Sequence, residues 1–182
     1  MRMRSVYVHF PYCLTKCPYC DFVSYKTDRT EVPHAAYADA VLAELDARLA
    51  AQPDLGRAPV GSVFFGGGTP SLWEPAELGR VLAGIHARLP VEVGAEVTVE
   101  CNPTSLDEGR ARAFRAVGVN RVSIGTQSLR REQLEHLGRL HDPEGARAAV
   151  RGALGVEGLR VSTDLIFGLP GQTPEDARAQ AL

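Results

Sequence analysis

Long apolar runs are missing from this chain. No stretch of ~18 apolar residues occurs, which gives no expectation of a transmembrane helix. Lysine is nearly absent, with Lys16 and Lys26 alone, and the 20 basic residues are matched by 22 acidic ones for a net charge of −2. No Lys/Arg block stands out, so a nucleic-acid surface is not expected. No segment is of low complexity. The basic start Met1-Arg2-Met3-Arg4-Ser5 leads into a short strand-like run ending at Pro11, without the apolar stretch and small-residue cleavage site of a signal peptide. These absences together predict a cytoplasmic protein. Cysteine is also scarce, with four residues. In a reducing compartment, closely spaced cysteines point to metal or redox chemistry before structural disulfides.

What is present fits one globular domain of ordinary size: 182 residues, 45% apolar and 23% charged. Strand and helix patterns alternate. Val6–Phe10, Val60–Phe65, Val93–Glu100, Arg121–Thr126 and Leu159–Phe167 read as strands. Ala35–Leu49, Pro75–Leu89, Leu106–Val117, Arg130–Leu137 and Pro143–Leu154 read as helical, with Pro75 suited to a first turn and Gly118 to a helix end. Thr173-Pro174-Glu175-Asp176 begins a further helix. Residues 50–59, rich in Pro and Gly, read as a connection. Such alternation predicts an α/β fold with about five parallel strands and right-handed crossovers, the strands apolar on both faces or nearly so. An open doubly wound sheet and an incomplete (β/α) barrel both fit; five units would not close a barrel, and the sequence stops inside a helix, so a fragment is expected.

The densest chemistry lies in Tyr7-Val8-His9-Phe10-Pro11-Tyr12-Cys13-Leu14-Thr15-Lys16-Cys17-Pro18-Tyr19-Cys20-Asp21-Phe22. Cys13, Cys17 and Cys20 fall within eight residues, directly after the first strand. A structural zinc site needs four closed ligands; His9 or Cys101 could add a fourth, but no second CxxC pair occurs. A redox dithiol would use Cys17 and Cys20 and leave Cys13 unexplained. An iron–sulfur cluster takes three thiolates readily and leaves one of four irons open, which makes a site reactive instead of structural.

Gly66-Gly67-Gly68-Thr69-Pro70 follows the second strand. It is neither a P-loop, since no GK[ST] follows, nor a dinucleotide fingerprint, since Ser71 replaces the third glycine. Glycines there let a ligand approach the backbone, although a plain tight turn reads equally well in isolation. Function in parallel α/β folds gathers at strand C-termini. The cysteine loop, the glycine loop, Glu100, Gln127 and Asp164 fall at or near the ends of successive strands. Asp164, between Thr163 and Leu165, is expected to be partly buried and to need a partner. Arg139 could equally pair with a carboxylate on a helix surface.

The CxxxCxxC spacing resembles the signature of the radical S-adenosylmethionine (SAM) superfamily, whose open iron chelates SAM. The wider segment, with GGGTP (66–70), VECNP (99–103), IGTQS (124–128), LGRLH (137–141) and DLIFGLPGQT (164–173), is similar to a narrower group: oxygen-independent coproporphyrinogen III oxidases and the related HemW-type haem chaperones. The resemblance spans nearly the whole chain. It implies a radical SAM core domain over 1–182, stopping before a sixth barrel strand and a C-terminal region. It implies a 4Fe–4S cluster on Cys13, Cys17 and Cys20. Tyr7, Gly67 and Glu100 match positions that contact the cluster-bound SAM, and Tyr19 an aromatic position near its adenine. Gly68, Thr69, Gln127, Arg139 and Asp164 match positions that contact a second SAM in the oxidases. His141 is a further candidate, as an acid–base or haem-contacting group or as a helix-terminal surface residue. Cys101 reads as packing.

Two functions follow from the resemblance. In the oxidases, SAM cleavage gives a radical that abstracts hydrogen and decarboxylates two propionates of coproporphyrinogen III. In the chaperones, haem is bound and passed to acceptor proteins. The oxidases carry a further cysteine in a CxC pattern after the third, where this chain has Asp21-Phe22, and a longer stretch before the cysteine loop. Both features favour the chaperone. The expected partners are haem or a porphyrinogen, haem acceptors and an electron donor. The HNxxYW-like haem motif of the C-terminal region does not occur here. A zinc-stabilised structural domain is the remaining alternative.

Overall fold

The structure is a computed structural model and describes residues 3–181. Met1, Arg2 and Leu182 lie outside the described residues, so the basic start is described from Met3 onward. Among the described residues, seven strands and six α-helices follow in chain order: β1 (Arg4–Phe10), β2 (Tyr12–Cys13), β3 (Tyr25–Lys26), α1 (His34–Ala51), β4 (Val60–Gly67), α2 (Pro75–Arg88), β5 (Val91–Cys101), α3 (Glu108–Ala116), β6 (Arg121–Gln127), α4 (Arg131–His136), α5 (Pro143–Leu154), β7 (Arg160–Leu165) and α6 (Pro174–Ala181). Five strands form one parallel sheet in the order β1-β4-β5-β6-β7, as the alternating pattern predicts. The expected Pro/Gly-rich connection contains a 3-10 turn, Pro53–Arg57. The short β2–β3 ladder, which closes the cysteine loop, had no sequence signal.

Local chemistry sets the helix boundaries. Asp107 caps α3 by accepting from the Arg110 amide, and Asp142 caps α5 by accepting from the Gly145 amide, each stabilising a helix start by about 1 kcal/mol. Pro75 and Pro143 occupy first turns. Gly118, at φ +105°, ends the α3 segment in a conformation other residues avoid.

The expectation that the strands are apolar on both faces is corrected. Side chains alternate between the two faces, with register shifts at Arg4/Ser5, Val60/Ser62 and Ile124/Gln127. Val8, Phe10, Val63, Phe65, Val97, Val99, Val122 and Ile124 point to the face covered by α1, α2, α3 and α5 and form the core with Leu78, Ile85, Ala111, Phe114 and Ala149. The opposite face is mainly polar, apart from the stacked Tyr7 and Phe64. There Ser62 donates to Ser5 (2.8 Å), Thr98 donates to Glu96 (2.7 Å), and Arg160 pairs with Glu96 (3.0 Å). A parallel sheet folded toward a barrel can leave its inner face to ligands and water, which explains the alternation.

One aromatic group anchors the end of β1 on the core side. Phe10 stacks on Trp73 with ring centroids 5.0 Å apart, and Tyr37 of α1 packs edge-on against both. Phe10 and Trp73 are fully buried, and burial stabilises by about 1.5–3 kcal/mol for a Phe-sized side chain. The Trp73 indole donates to the His34 carbonyl at 3.0 Å and the Tyr37 hydroxyl to the His9 carbonyl at 2.5 Å. The strand end that launches the cysteine loop is therefore fixed from behind.

Candidate functional site

The cysteine loop leaves β1 and returns through backbone bonds from the Tyr25 amide to the Pro11 carbonyl (2.7 Å) and from the Thr27 amide to the Cys13 carbonyl (2.9 Å). Inside it the Cys20 amide bonds the Cys17 carbonyl at 3.0 Å, turning the chain between two cysteines. The glycine loop is stitched to the same backbone: the Gly68 amide donates to the Phe10 carbonyl (2.7 Å) and the Thr69 amide to the Tyr12 carbonyl (2.9 Å). A Cβ on Gly68 would lie 2.8 Å from the Tyr12 carbonyl oxygen and 2.9 Å from the Pro11 carbonyl carbon. The approach that demands glycine at position 68 is thus that of the cysteine loop itself. Gly67, at φ +113°, would place a Cβ 2.6 Å from the His9 ring. The glycines do permit close backbone approach, but at these two positions the approaching atoms are the protein's own.

These elements surround a cavity of ≈160 Å³. Cys13, Cys17, Cys20, Tyr19, Gly67, Gly68, Thr69, Glu100, Gln127, Arg139 and Asp164 all line it. Tyr7 does not. Its ring stacks on Phe64 at 6.2 Å and its hydroxyl meets His9 Nδ1 at 3.0 Å. A larger groove, ≈510 Å³, wraps the free edge of β1 against α1 and is lined largely by aliphatic side chains, together with Tyr7 and His9. The smaller cavity carries the thiols and is the site.

Glu100 reaches across from β5 and accepts from the Gly67 amide at 3.0 Å. Gly66 makes this possible, since a Cβ there would lie 2.9 Å from the carboxylate. Burial pushes the Glu100 carboxyl above its ordinary value, against the lowering effect of the Gly67 bond and with the nearby Asp164 charge raising it further. Gln127 ends β6 in the left-handed region, φ 64°, a strained conformation for a residue with a side chain. Arg139 donates to the Gly125 carbonyl at 2.8 Å and to Cys17 Sγ at 3.6 Å, not to a carboxylate on a helix surface. Desolvation pushes the Tyr19 hydroxyl up to about 12.

Two expectations are revised. Asp164 is exposed, not partly buried, although it does have a partner: Ser123 donates to its carboxylate at 3.0 Å. β7 is the sheet's edge, and nothing described covers its polar face. His141 is neither on the surface nor in the cavity. It is buried, with Nε2 3.0 Å from the Thr126 carbonyl oxygen and Nδ1 without a partner among the described residues, and burial lowers its pKa. Cys101 is buried and packs with the core, as expected, and also borders the cavity from the end of β5; burial raises its thiol pKa strongly.

Sequence reasoning missed three supporting contacts of the site, the third made by Thr69, which it had named as a ligand contact only. Ser71 accepts from the Asn102 amide at 3.0 Å and meets Ser105 Oγ at 2.6 Å, joining the glycine loop to the end of β5. Arg110 donates to the carbonyls of Ser71 (2.6 Å) and Trp73 (2.7 Å) and holds the turn after the glycines. Thr69 donates from its hydroxyl to Cys13 Sγ at 3.3 Å. Only a spatial contact reveals these roles, because each crosses more than thirty residues of sequence.

The donor set suits a cluster. All four cysteines are free thiols and all line the cavity, Cys13, Cys17 and Cys20 from the cysteine loop and Cys101 from the end of β5. Among the described residues no three His, Cys, Asp or Glu side chains are set to hold a single metal ion. A four-iron cluster takes each thiolate at a separate iron, so the three cysteines of the loop would leave one iron open. Glu100, the Gly67 backbone and Arg139 supply groups for a bound small molecule with amine, hydroxyl and carboxylate functions.

A parallel α/β sheet whose strand ends gather a three-cysteine loop, a glycine turn and a carboxylate around one cavity defines a protein of the iron–sulfur, nucleotide-cofactor class. The chain belongs to the radical SAM superfamily, whose family model matches residues 7–180. Membership implies a 4Fe–4S cluster and SAM. The chain is 44% identical over 174 residues to the haem chaperone HemW of Escherichia coli (strain K12), covering 95% of this chain and 45% of that protein. It is 37% identical over 175 residues to the haem chaperone HemW of Haemophilus influenzae, with the same coverage. Among solved structures it is similar to coproporphyrinogen III oxidase (HemN) from Escherichia coli, described as a radical SAM enzyme, with a TM-score of 0.80, 28% identity, and 99% of this chain against 41% of that one. The chain spans about half the length of the curated relatives it matches. Among the described residues no helix is long and apolar enough to cross a membrane.

Proposed function

We propose that this chain is the radical SAM core domain of a HemW-like haem chaperone. Cys13, Cys17 and Cys20 hold a 4Fe–4S cluster, and SAM occupies the cavity bounded by Gly67, Glu100 and Arg139. The observation that carries the reading is the meeting of the cysteine loop, the glycine loop and Glu100 around one cavity. The bound cluster with SAM supplies one-electron chemistry. The chain's own residues position the ligand: the Glu100 carboxylate accepts from an amine or a hydroxyl, and the Tyr19 phenol stays protonated at neutral pH and offers a hydrogen-bond donor. Gly68, Thr69, Gln127 and Asp164 line the same cavity and are proposed contacts for the nucleotide or for a second ligand. Tyr7 sits beside it at the sheet edge.

Haem binding and transfer to acceptor proteins in the cytoplasm rest on the likeness to the HemW chaperones and on Asp21-Phe22 after Cys20. The haem site is assigned to a C-terminal region of the full-length protein beyond this core. The porphyrinogen oxidase reading is favoured by one observation, the fold shared with HemN, and it would require an electron donor. Anaerobic reconstitution of the full-length protein decides between them, with iron, SAM binding, haem binding and coproporphyrinogen turnover measured together. Haem binding without turnover is the expected result. Turnover to protoporphyrinogen would replace the chaperone by the oxidase, and stoichiometric zinc without iron would sink both.

A further inference from the structure

The position of Arg139 separates it from the other polar residues of the cavity. It stands just after α4 and reaches inward past Gly138. Its Nη2 donates to the Gly125 carbonyl at 2.8 Å and its Nη1 to Cys17 Sγ at 3.6 Å. These contacts use two of its five N–H donors, and Nε is buried and without a partner among the described residues. The contact with Cys17 places a fixed positive charge and an N–H donor against a sulfur. Thr69 does the neutral equivalent at another thiol, its hydroxyl 3.3 Å from Cys13 Sγ. A Cβ on Gly125 would come 2.8 Å from the Gln127 side-chain amide and would stand at ordinary contact distance, 3.6 Å, from the guanidinium.

Iron–sulfur potentials are set by net charge, by hydrogen bonds to the sulfurs and by solvent exposure. One-electron reduction adds a negative charge that spreads onto the cysteine sulfurs, and a cation or donor at those sulfurs favours the reduced form. We propose that Arg139 is a positioning and potential-setting residue, whose guanidinium at Cys17 raises the reduction potential of the cluster, with Thr69 at Cys13 the weaker, uncharged counterpart. This rests on the cluster reading above. It differs from the SAM-contacting role that sequence resemblance gives to Arg139 and Thr69.

The test is a potentiometric titration of the reconstituted full-length protein with dithionite and mediators, followed by electron paramagnetic resonance, without SAM. One electron passes from dithionite to the cluster, and no other bond is made or broken. Omitting SAM removes any contribution from ligand binding. At the poise where the wild-type cluster is half reduced, Arg139→Met is expected to lower the reduced-to-oxidised ratio about tenfold, equivalent to 59 mV for one electron. Arg139→Lys, which keeps the charge, is expected to recover most of that ratio, and Thr69→Val to lower it by about threefold. Iron content is measured in every variant. If Arg139→Met holds no cluster, Arg139→Gln, which keeps a donor without the charge, takes its place under the same criteria. A neutral variant with full iron that titrates with the wild type overturns the proposal. So do equal shifts in the Lys and neutral variants, which would assign the effect to the lost Gly125 contact. A wild-type protein that assembles no 4Fe–4S cluster fails at an earlier and distinguishable point, the reading of the site itself.

Discussion

The two faces of the sheet are built on different principles. Behind it, Phe10, Phe65, Trp73, Phe114 and Ile124 exclude water completely, and stability there comes from area and packing. In front, the strands carry serines, threonines, arginines and carboxylates that hydrogen-bond across the ladder, and the site residues stand among them. The same five strands serve both tasks because successive side chains point to opposite sides. The difference predicts that changes behind the sheet alter stability and changes in front alter what is bound.

The sharpest break of that comparison lies in the cysteines. Cys17→Ala is expected to abolish cluster incorporation, read as iron and sulfide after anaerobic reconstitution, while the melting temperature of the iron-free protein changes little. Trp73→Ala tests the converse. It removes a fully buried ring and the indole bond to His34, and should cost about 3–5 kcal/mol in denaturant unfolding. Iron per folded molecule should stay the same. Glu100→Gln retains shape but removes a charge facing the cavity. It is expected to weaken SAM binding about tenfold in equilibrium dialysis, as the loss of a charge-assisted hydrogen bond does. Iron loading should remain unchanged; a loss of iron there would blur the division.

The smallest effects concern pH, and they have opposite signs at Glu100 and His141. Burial raises the Glu100 carboxyl, so the folded protein holds that proton more tightly than the unfolded chain. Its contribution to stability is full at acid pH and is lost as pH rises through the folded pKa. Burial lowers His141, so the folded protein holds that proton less tightly. Its contribution is full above the ordinary imidazole range and is lost as pH falls through the folded pKa. Melting temperatures of the iron-free protein across pH should show Glu100→Gln flattening the first trend and His141→Gln the second. Equal pH profiles in both variants and the wild type would show that neither group is desolvated enough to matter.

Much of this was legible in the sequence for definite reasons. The alternation of elements, Pro75 and Gly118 are local signals, and the strands and helices they mark are present. The cysteine spacing and the glycine run are local too, and their convergence follows from strand ends sharing one rim. The two-faced character of the strands was misread because Thr98 and Ser123 are small enough to sit in an apolar-looking run while pointing away from the core. Asp164 was misjudged because a strand's neighbours in sequence do not say whether it is at a sheet edge. The roles of Ser71, Arg110 and Thr69 were invisible, since each depends on a partner far along the chain.

The seam between the glycine loop and the cysteine loop has a genetic consequence. Gly68 touches no metal-binding atom, yet its amide and its missing side chain set where Phe10, Pro11 and Tyr12 run, and with them the takeoff of the cysteines. A Gly68→Ala change would phenocopy a lost iron ligand. A screen for iron-deficient variants would return it beside the three cysteines, and a map drawn from such a screen would credit iron binding to a residue that supplies no ligand at all.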